Sequence, residues 1–406
     1  MTSKMKILFV CNKPPYPARE GGPIAMNMLI EGLLQQGHEV KVLTVSSEKF
    51  PLNTESIPLT YRNATGIESV PLDLRVKPIG AFLNLFTRRS YHAERFVSGT
   101  FASRLKEILL SSAFDVVQLE TVFMCSYIPV IRKYSQASVV LRAHNIEYLI
   151  WKRIWQSSAP GLRKWYLRHL WTTLKGFELG CLGQVDGIAA ITSKDAGFFH
   201  KHAPDIPVIS LPFGIEPPES ATVSGSECEV PSLFHIGSMD WIPNQEGIRW
   251  FLTHVWPLVH QEFPGLKLYL AGRNMPAWLK DGQWPDVVVV GEVPDAAGFM
   301  QSKQVMVVPL LSGSGIRIKI IEAMAAGKAV ISSPVGAEGI ECRHGHDILL
   351  ASAPEEYLES IRRCVANEAF CNLLGDNARQ LIIKKHDRSY LIRELIRFYE
   401  SLKQKQ

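Results

Sequence analysis

The 406-residue sequence lacks the motifs by which several classes of protein bind metals or cross membranes. Its seven cysteines are far apart, with no CxxC pair and no zinc-finger spacing, so we expect reduced, mostly buried thiols as in a cytosolic protein. It has no run of about 18 apolar residues, which argues against a transmembrane helix. It also has no Asp-x-Asp metal motif, and we expect neither a metal nor a resident cofactor.

The chain also lacks an export signal and a strong charge of either sign. The stretch MTSKMKILFVCNKPPYP has no long apolar region with a small-residue cleavage site, so we expect a cytoplasmic location. A net charge of +5 permits anionic partners such as nucleotides or lipid surfaces without selecting one. Since no RNA- or DNA-binding motif is evident, we expect no nucleic-acid partner.

The sequence does contain an alternation of short apolar runs with helical patterns. The run MKILFV at 5–10 precedes a helical pattern at 23–36 and the run HEVKVLTV at 38–45. This βαβ unit is typical of a doubly wound parallel sheet, which binds ligands at the carboxyl ends of its strands. Further strands are predicted at 114–120, 137–144, 187–192, 232–237, 266–272, 287–293, 304–310 and 329–333. Further helices are predicted at 244–263, 354–368 and 370–384.

A change of composition divides this alternation in two. The stretch 212–231 is rich in Pro, Ser, Gly and Glu and has little periodicity, which is typical of an interdomain connector. The chain is also too long for one ordinary core. We therefore predict two consecutive α/β domains with a cleft between them.

The stretch SGSGIRIKIIEAMAAGKAVISSP, at 312–334, combines a glycine-rich loop with the start of a helix. Gly313 and Gly315 would allow close approach of a ligand to the backbone. A helix that starts after a strand presents free N–H groups, which suit phosphate. The loop is neither a Walker A nor a GxGxxG sequence, so those mechanisms do not transfer.

The helix that follows this loop carries two cations and a carboxylate close together. Arg317 can bind phosphate oxygens bidentately, and Lys319 adds a point charge. Glu322 suits a ribose diol. Together they predict a nucleoside diphosphate site, although an ordinary amphipathic helix with these side chains in water would show the same spacing.

The longer segment VPLLSGSGIRIKIIEAMAAGKAVISSPVGAEGI closely resembles the donor-binding region of retaining glycosyltransferases of family 4, which have the two-domain GT-B fold. In that family two glutamates, separated by seven residues, bind the donor. Glu322 matches the second, which implies contact with the nucleotide ribose. Ser314 stands where the first glutamate would contact the donor sugar. The resemblance implies that the backbone of Ser314, Gly315 and Ile316 faces phosphate or sugar.

A second departure from the family lies in HIGSMDWIPNQEG, after the first strand of the second domain. Gly237 and Ser238 keep the turn, but the Arg and Lys that usually neutralise the diphosphate are absent. The sequence is similar to a family branch with a GSGIR-K loop. That similarity implies that Arg317 and Lys319 act catalytically by stabilising the departing diphosphate.

The loop PPYPAREGGPIAMNML after the first strand also resembles the family. Gly21 and Gly22 precede a predicted helix, and in the family such glycines let donor phosphates and acceptor approach. A plain turn between strand and helix is the alternative. Arg19 could contact an acidic acceptor or lie in solvent.

The segment LRAHNIEY ends a predicted strand with His144 and Asn145, where a doubly wound fold places functional residues. The resemblance implies that His144 lies near the transferred sugar and acts catalytically. A structural histidine is the alternative. Glu147 is a weaker candidate.

The segment 151–177 has four Trp, six Lys or Arg and no Asp or Glu. Aromatic and basic residues interleaved in this way suit an anionic membrane surface on the inner face of the membrane or a lipid-phosphate acceptor. The alternatives are an amphipathic helix that packs its Trp side chains on the first domain and, third, a nucleic-acid surface.

Taken over most of the chain, the resemblance implies an α/β protein of the GT-B fold, with two Rossmann-like domains facing a central cleft. The acceptor domain would comprise 1–213 and the helix 388–406, and the donor domain 214–387. The implied activity is retaining, metal-independent transfer from a UDP- or GDP-sugar co-substrate to a saccharide or lipid-linked hydroxyl, in polysaccharide, glycolipid or glycoconjugate biosynthesis. A sugar-nucleotide epimerase and a non-catalytic sugar-nucleotide-binding protein remain alternatives.

Overall fold

The computed structural model describes residues 4–18, 21–216, 228–313 and 315–403. The chain divides into two compact units, Met1–Gly214 with Arg388–Gln406, and Ile215–Asp387. All seven cysteines lie in the described residues and are free, and five of them are buried, as predicted. Within the described ranges, no helix has the length and apolar character needed to span a membrane.

Unit 1, the first of these units, is built on a parallel sheet of seven described strands in the order β3-β2-β1-β4-β5-β6-β7. Its strands are β1 (Lys6–Cys11), β2 (Glu39–Ser46), β3 (Glu68–Pro71), β4 (Val116–Glu120), β5 (Ser138–Ala143), β6 (Gly187–Ala190) and β7 (Val208–Ser210). The central strands β1, β4 and β5 are buried almost throughout, which explains why they are continuous apolar runs in the sequence.

The helices of unit 1 begin and end where local chemistry favours it. Gly37, at φ 83°, ends the helix Gly21–Gln35. At the start of the helix Ser193–His202, the Thr192 hydroxyl accepts a hydrogen bond from Asp195 N at 2.9 Å. The helices are α1 (Gly21–Gln35), α2 (Leu59–Thr65), α3 (Pro78–Asn84), α4 (Tyr91–Glu94), α5 (Gly99–Ser111), α6 (Ile128–Tyr134), α7 (Glu147–Ser157), α8 (Leu162–Leu182), α9 (Ser193–His202) and α17 (Arg388–Lys403).

The C-terminal helix α17 is an integral part of unit 1. A Cβ placed on Gly187 of β6 would lie 2.7 Å from Phe398 and 2.8 Å from Leu402, so helix and strand meet only because residue 187 is glycine. The Tyr399 hydroxyl is buried and hydrogen-bonded to Gln118 of β4. The helix therefore covers the sheet from the far end of the chain.

Unit 2, the second unit, repeats the same plan with a six-stranded parallel sheet in the order β10-β9-β8-β11-β12-β13. Its described strands are β8 (Glu229–Ile236), β9 (Lys267–Ala271), β10 (Val287–Gly291), β11 (Lys303–Val308), β12 (Ala329–Ser332) and β13 (Leu349–Leu350). Its described helices are α10 (Ile242–Trp250), α11 (Trp256–Glu262), α12 (Ala277–Lys280), α13 (Ala296–Gln301), α14 (Ile318–Ala325), α15 (Pro354–Ala366) and α16 (Glu368–His386). A single π-helical turn, Phe251–Val255, joins α10 to α11.

The predicted strands are all present, with ends shifted by up to three residues, and three other predictions need correction. The connector predicted at 212–231 ends earlier, because β8 begins at Glu229. Arg317 lies just before α14 rather than inside a helix. The segment 151–177 is not one helix, because α7 and α8 are separated by a turn in which Gly161 has φ 141°.

Candidate functional site

In both units the strand order reverses direction beside the first strand, between β1 and β4 in unit 1 and between β8 and β11 in unit 2. Doubly wound sheets bind ligands at the carboxyl ends of the strands beside such a reversal. The predicted site residues follow these strands in each unit.

The cluster in unit 1 is organised around the fully buried carboxylate of Glu120, the last residue of β4. Its Oε2 lies 2.5 Å from His144 Nε2 and 3.5 Å from Arg142 Nη1, and its Oε1 accepts a hydrogen bond from Gln118 Nε2 at 2.6 Å. Gln118 in turn bonds to Tyr399, as described above. A continuous polar chain thus runs from α17 to His144.

Opposed effects set the charges in this cluster. Burial alone would raise the pKa of Glu120, but Arg142 and the hydrogen bonds from His144 and Gln118 outweigh it, and the pKa falls below its ordinary value. Burial lowers the pKa of His144, and the adjacent Glu120 only partly offsets this. At neutral pH the pair is therefore a carboxylate beside a neutral imidazole, which accepts or relays a proton.

The backbone that presents Glu120 is also constrained. Thr121, the next residue, has φ 78°, a conformation that β-branched residues rarely adopt. Its N–H donates to the carbonyl oxygen of Arg142 at 3.1 Å, which ties the end of β4 to β5. The strand edge that carries Glu120 and His144 is thus fixed from both sides.

Two more carboxylates, Glu147 and Glu178, contact the segment that follows His144. Asn145 Nδ2 donates to Glu147 Oε1 at 3.4 Å, and burial raises the pKa of Glu147 to about 7. Glu178, on α8, accepts hydrogen bonds at 2.9 Å from the backbone N–H groups of Glu147 and Tyr148 at the start of α7. Burial, and then the neighbouring carboxylates, raises the pKa of Glu178 to about 8.

The two glycines predicted to precede the helix after β1 are instead its first two residues. Gly21 is the first residue of α1, and a Cβ on Gly22 would lie 3.0 Å from Cε of Lys13. The Lys13 side chain therefore lies across the helix start, and its charge contributes to the low pKa of His144. Arg19 lies outside the described residues.

In unit 2 the turn after β8 consists of small residues and is hydrogen-bonded to Asn244 of α10. A Cβ on Gly237 would lie 2.7 Å from Nδ2 of Asn244, which itself donates to the Ser238 carbonyl oxygen at 2.8 Å. The Ser238 hydroxyl hydrogen-bonds to Asp240. The turn therefore brings backbone and small polar groups to the carboxyl edge of the sheet.

The loop after β11 encloses the guanidinium group of Arg317. That group lies 4.9 Å from the ring centroid of Trp241, and its Nη1 donates to the Gly315 carbonyl oxygen at 2.6 Å. A Cβ on Gly313, at φ 127°, would come within 2.6 Å of Arg317 Nη2. Both glycines therefore shape the loop around this cation, a role that the sequence did not suggest.

Arg317 nevertheless keeps its positive charge. Burial lowers its pKa to about 10, and the carboxylate of Glu338 acts in the opposite direction. A guanidinium that is already partly desolvated and held against an aromatic ring loses less solvation and entropy when it binds an anion. The arrangement therefore favours binding of a phosphate group.

The other predicted residues of this loop lie nearby. Lys319 Nζ is 2.8 Å from Glu322 Oε2 on the same helix, so each neutralises part of the charge of the other. Ile316 and Gly315 are partly exposed before α14. Ser314 lies outside the described residues.

Sequence reasoning missed Glu120, Glu178 and Trp241. Glu120 does end a predicted strand, which was a usable signal. Glu178 lies 31 residues from Glu147 in the sequence, and nothing local indicates their contact. Within the ranges that the structure describes, no group of three or more His, Cys, Asp or Glu side chains is arranged to hold a metal ion.

Sequence comparisons connect these features to known proteins. Residues 230–367 match the family model described as Glycosyl transferases group 1. An uncharacterized 44.6 kDa protein in the cps region of Klebsiella pneumoniae is 23% identical over 394 residues, which cover 94% of this chain and 96% of that protein.

Comparison with solved structures addresses the whole fold. Sucrose-phosphate synthase from Thermosynechococcus elongatus matches 99% of this chain and 100% of its own, with a TM-score of 0.72 and 16% identity. Anabaena HepE in complex with UDP matches 98% of this chain and 100% of its own, with a TM-score of 0.66 and 14% identity. HepE was also solved in complex with UDP-glucose. The chain therefore has the GT-B fold, and the family match within unit 2 supports a glycosyltransferase.

Proposed function

We propose that the protein is a retaining glycosyltransferase that uses a nucleoside diphosphate sugar, with UDP or GDP as the nucleotide, and a hydroxyl acceptor. The observation that carries this proposal is the Arg317 guanidinium, enclosed by Trp241 and the loop 312–316 at the carboxyl edge of unit 2. That segment lies inside the family match, and a structural relative, HepE, was solved with UDP and with UDP-glucose.

Unit 2 would bind the nucleotide half of the donor. Arg317 binds diphosphate oxygens, Lys319 adds a second positive charge, and Glu322 accepts hydrogen bonds from the ribose diol. The Lys319–Glu322 ion pair, at 2.8 Å, would open or be shared when the donor binds. The backbone of Gly237, Ser238, Gly315 and Ile316 would face phosphate or sugar, and the same role for Ser314, which lies outside the described residues, is proposed from the resemblance alone.

In the proposed reaction the bond between the anomeric carbon and the diphosphate oxygen breaks, and its electron pair stays on the phosphate. The acceptor oxygen forms the new bond on the same face of the sugar. Its proton passes to the departing phosphate, which leaves as the nucleoside diphosphate. Arg317 and Lys319 stabilise the charge that grows on that phosphate; loss of one such preorganised contact typically costs about 2.7–4 kcal/mol.

His144 is proposed to contact the transferred sugar. Since Glu120 Oε2 lies 2.5 Å from Nε2 of His144, the carboxylate fixes the orientation of the ring. The neutral imidazole that burial favours can accept a hydrogen bond from a sugar hydroxyl. Gly21, Gly22 and Arg19 would border the acceptor, which we propose is a saccharide or a lipid-linked saccharide at an anionic membrane surface, in polysaccharide or glycoconjugate synthesis.

The first test is thermal-shift binding with UDP, GDP and ADP and their glucose and mannose conjugates, with and without EDTA. A ligand at 100 times its dissociation constant stabilises by about 2.7 kcal/mol, so one base should raise the melting temperature by several degrees. The donor with that base is then incubated with a panel of saccharide acceptors, and NMR reads the anomeric configuration of the product.

We expect retained configuration and no effect of EDTA. Conversion of the donor without any acceptor would support an epimerase, and binding without turnover over the whole panel would support a non-catalytic binding protein. Failure of every nucleotide to stabilise the protein would contradict the proposed donor site.

A further inference from the structure

Helix α3 of unit 1 turns its apolar side to solvent. Ile79, Phe82 and Leu83 of α3 and Phe86, two residues after its end, are spaced at i, i+3, i+4 and i+7, and these residues are between 59% and 78% exposed. A surface helix of a soluble protein normally buries such a stripe. Here the opposite side, with Ala81 and Asn84, is the buried one.

The buried side of α3 packs on helix α8, which extends the exposed stripe. Asn84 Oδ1 lies 3.1 Å from Nε2 of His169 on α8, and Trp165 and Leu162 stand on the same side of α8, one and two turns before His169. Leu162 is 88% exposed and Trp165 59% exposed. We name the surface formed by residues 76–86 with Leu162 and Trp165 the apolar face.

Positive charge surrounds the apolar face. Residues 74–93 contain four Lys or Arg, residues 148–177 contain six, and neither segment contains Asp or Glu. Three carboxylates pair with cations of the first segment: Asp73 with Arg75 and Lys77, Glu48 with Arg75 at 3.7 Å, and Glu94 with Arg89 at 3.8 Å. The ten Lys and Arg of the two segments outnumber these three carboxylates. The net field at this surface is therefore positive.

A cavity of about 660 Å³ is lined by Arg88 and Arg89, which closely follow Phe86 in the chain, and by Glu94, Val97 and Phe177 among others. Since Arg89 lies 3.8 Å from Glu94, Arg88 supplies the net positive charge of this lining. The size of the cavity and that charge suit a phosphate-bearing head group. Its position places such a group at the edge of the apolar face.

We propose that the apolar face docks on an anionic lipid bilayer, with Ile79, Phe82 and Phe86 among the acyl chains and the surrounding cations at the phosphates. Exposed aromatic and aliphatic side chains ringed by Lys and Arg are typical of interfacial docking. A second copy of this chain is disfavoured because like charges would meet across the contact. This inference rests on the lipid-surface part of the proposed function. It extends the proposed membrane contact beyond the segment 151–177 to include α3.

The test is co-sedimentation of the full-length protein with vesicles of phosphatidylcholine alone and with about 30% phosphatidylglycerol. The variant Ile79→Ser/Phe82→Ser/Phe86→Ser should bind the anionic vesicles roughly 20-fold more weakly or worse. The matched control, Leu59→Ser/Leu110→Ser/Leu373→Ser, removes three equally exposed side chains elsewhere and should bind like the wild type.

The charge component has its own pair of variants. Arg88→Gln/Arg163→Gln should weaken binding to anionic vesicles by about fivefold per cation, and 0.5 M salt should do the same to the wild type. Lys384→Gln/Arg393→Gln changes the net charge equally and should bind like the wild type. Free inorganic phosphate at millimolar concentration should not compete, whereas competition would show a soluble phosphate ligand and overturn docking.

Failure of the inference is distinguishable from failure of the proposed function. Equal binding of anionic vesicles by the wild type and the serine variant would overturn docking through the apolar face. The broader proposal that the protein binds a lipid surface would then still stand. Absence of vesicle binding by the wild type would overturn both lipid statements, while the nucleotide thermal shift still tests the donor site. A dimer in sedimentation velocity that the serine variant breaks, with no vesicle binding, would make the face a self-association surface.

Discussion

Each unit holds an arginine in its candidate site, and the two are used differently. Arg142 in unit 1 is fully buried, and its charge faces the carboxylate of Glu120. Arg317 in unit 2 is partly exposed and lies against the Trp241 ring and a backbone oxygen. The first cation stabilises an internal carboxylate. The second, on the proposed function, is held ready for a diphosphate.

This difference teaches that a conspicuous motif and a catalytic charge need not coincide. The GSGIR loop is visible in the sequence because glycine and arginine are close together along the chain. The Glu120–Arg142–His144 cluster joins three residues on two neighbouring strands and has no local signature. Substitutions in each unit distinguish a buried carboxylate that stabilises the fold and orients His144 from a loop whose main role is to bind the nucleotide.

The largest effect is expected from Glu120→Gln. The substitution leaves the Arg142 charge buried without its carboxylate, which typically costs about 3–5 kcal/mol. The melting temperature of the protein should fall by roughly 10 °C. Glu107→Gln, at an exposed carboxylate on α5, is the matched control and should leave it unchanged.

A second variant separates charge from shape in this cluster. In Glu120→Gln/Arg142→Met no buried charge remains, so much of the lost stability should return while the orientation of His144 stays impaired. If the double variant is as unstable as the single one, the buried charge is not what Glu120 compensates.

Next in size is Arg317→Ala, which should weaken binding of the preferred nucleoside diphosphate about 10- to 100-fold, the range for a hydrogen bond to a charged group. Stability of the free protein should change little. Isothermal titration calorimetry measures the affinity. Arg249→Ala is the matched control, because Arg249 also lies over a tryptophan of unit 2, 4.4 Å from the Trp278 ring centroid. Equal losses in both variants would contradict a specific role for Arg317.

The stability of the folded protein should depend on pH through Glu178 in unit 1. The pKa of Glu178 is raised from 4.5 to about 8 in the folded protein, so the folded state binds this proton more tightly than the unfolded state. Its contribution to stability is full below about pH 4.5 and is lost as the pH rises through about 8. Near neutrality the loss is at most about 1.4 kcal/mol per pH unit.

Thermal melts at pH 6.5 and 7.5 measure this dependence. The wild type should lose more stability over that interval than Glu178→Gln, which cannot titrate. Glu359→Gln, at an exposed carboxylate of α15, should keep the wild-type slope. A slope that Glu178→Gln leaves unchanged would assign the titration to other groups.

The smallest expected effect is that of Gly313→Ala. Its Cβ would lie 2.6 Å from Arg317 Nη2, so the guanidinium must move, and we expect about five- to tenfold weaker nucleotide binding. Gly345→Ala carries a similar backbone strain, at φ 74°, with nothing within 4 Å of the new Cβ. Affinity lost equally in both variants would reflect strain rather than displacement of Arg317.

The central strands of both sheets could be predicted from the sequence. Central parallel strands are buried on both sides and therefore form continuous apolar runs. Strands β1, β4 and β5 were placed within two residues by this signal alone. The ends of α7 and α8 were missed although Pro160 and Gly161 stand between them. The aromatic and basic pattern runs through these helix breakers without interruption, so it does not show the break.

The sequence predicted those parts of the candidate sites whose residues are neighbours in the chain. It did not predict contacts between residues that are far apart in the chain. Gly313, Gly315 and Arg317 are neighbours in the chain, so their common loop could be predicted. Their mutual contact could not, because it depends on the side-chain path of Arg317 toward Trp241, 76 positions away along the chain. The exposed side of α3 was likewise missed, because a helical apolar pattern does not show which side is covered.

The place of α17 has a consequence for synthesis. Strand β6 with its Gly187, and Gln118 of β4, are translated before unit 2, but the helix that covers them is translated after it. While the ribosome makes unit 2, the part of the unit 1 sheet that α17 covers stays exposed, and exposed apolar surface makes a partly folded chain prone to aggregate. Unit 1 therefore begins to fold first and finishes last.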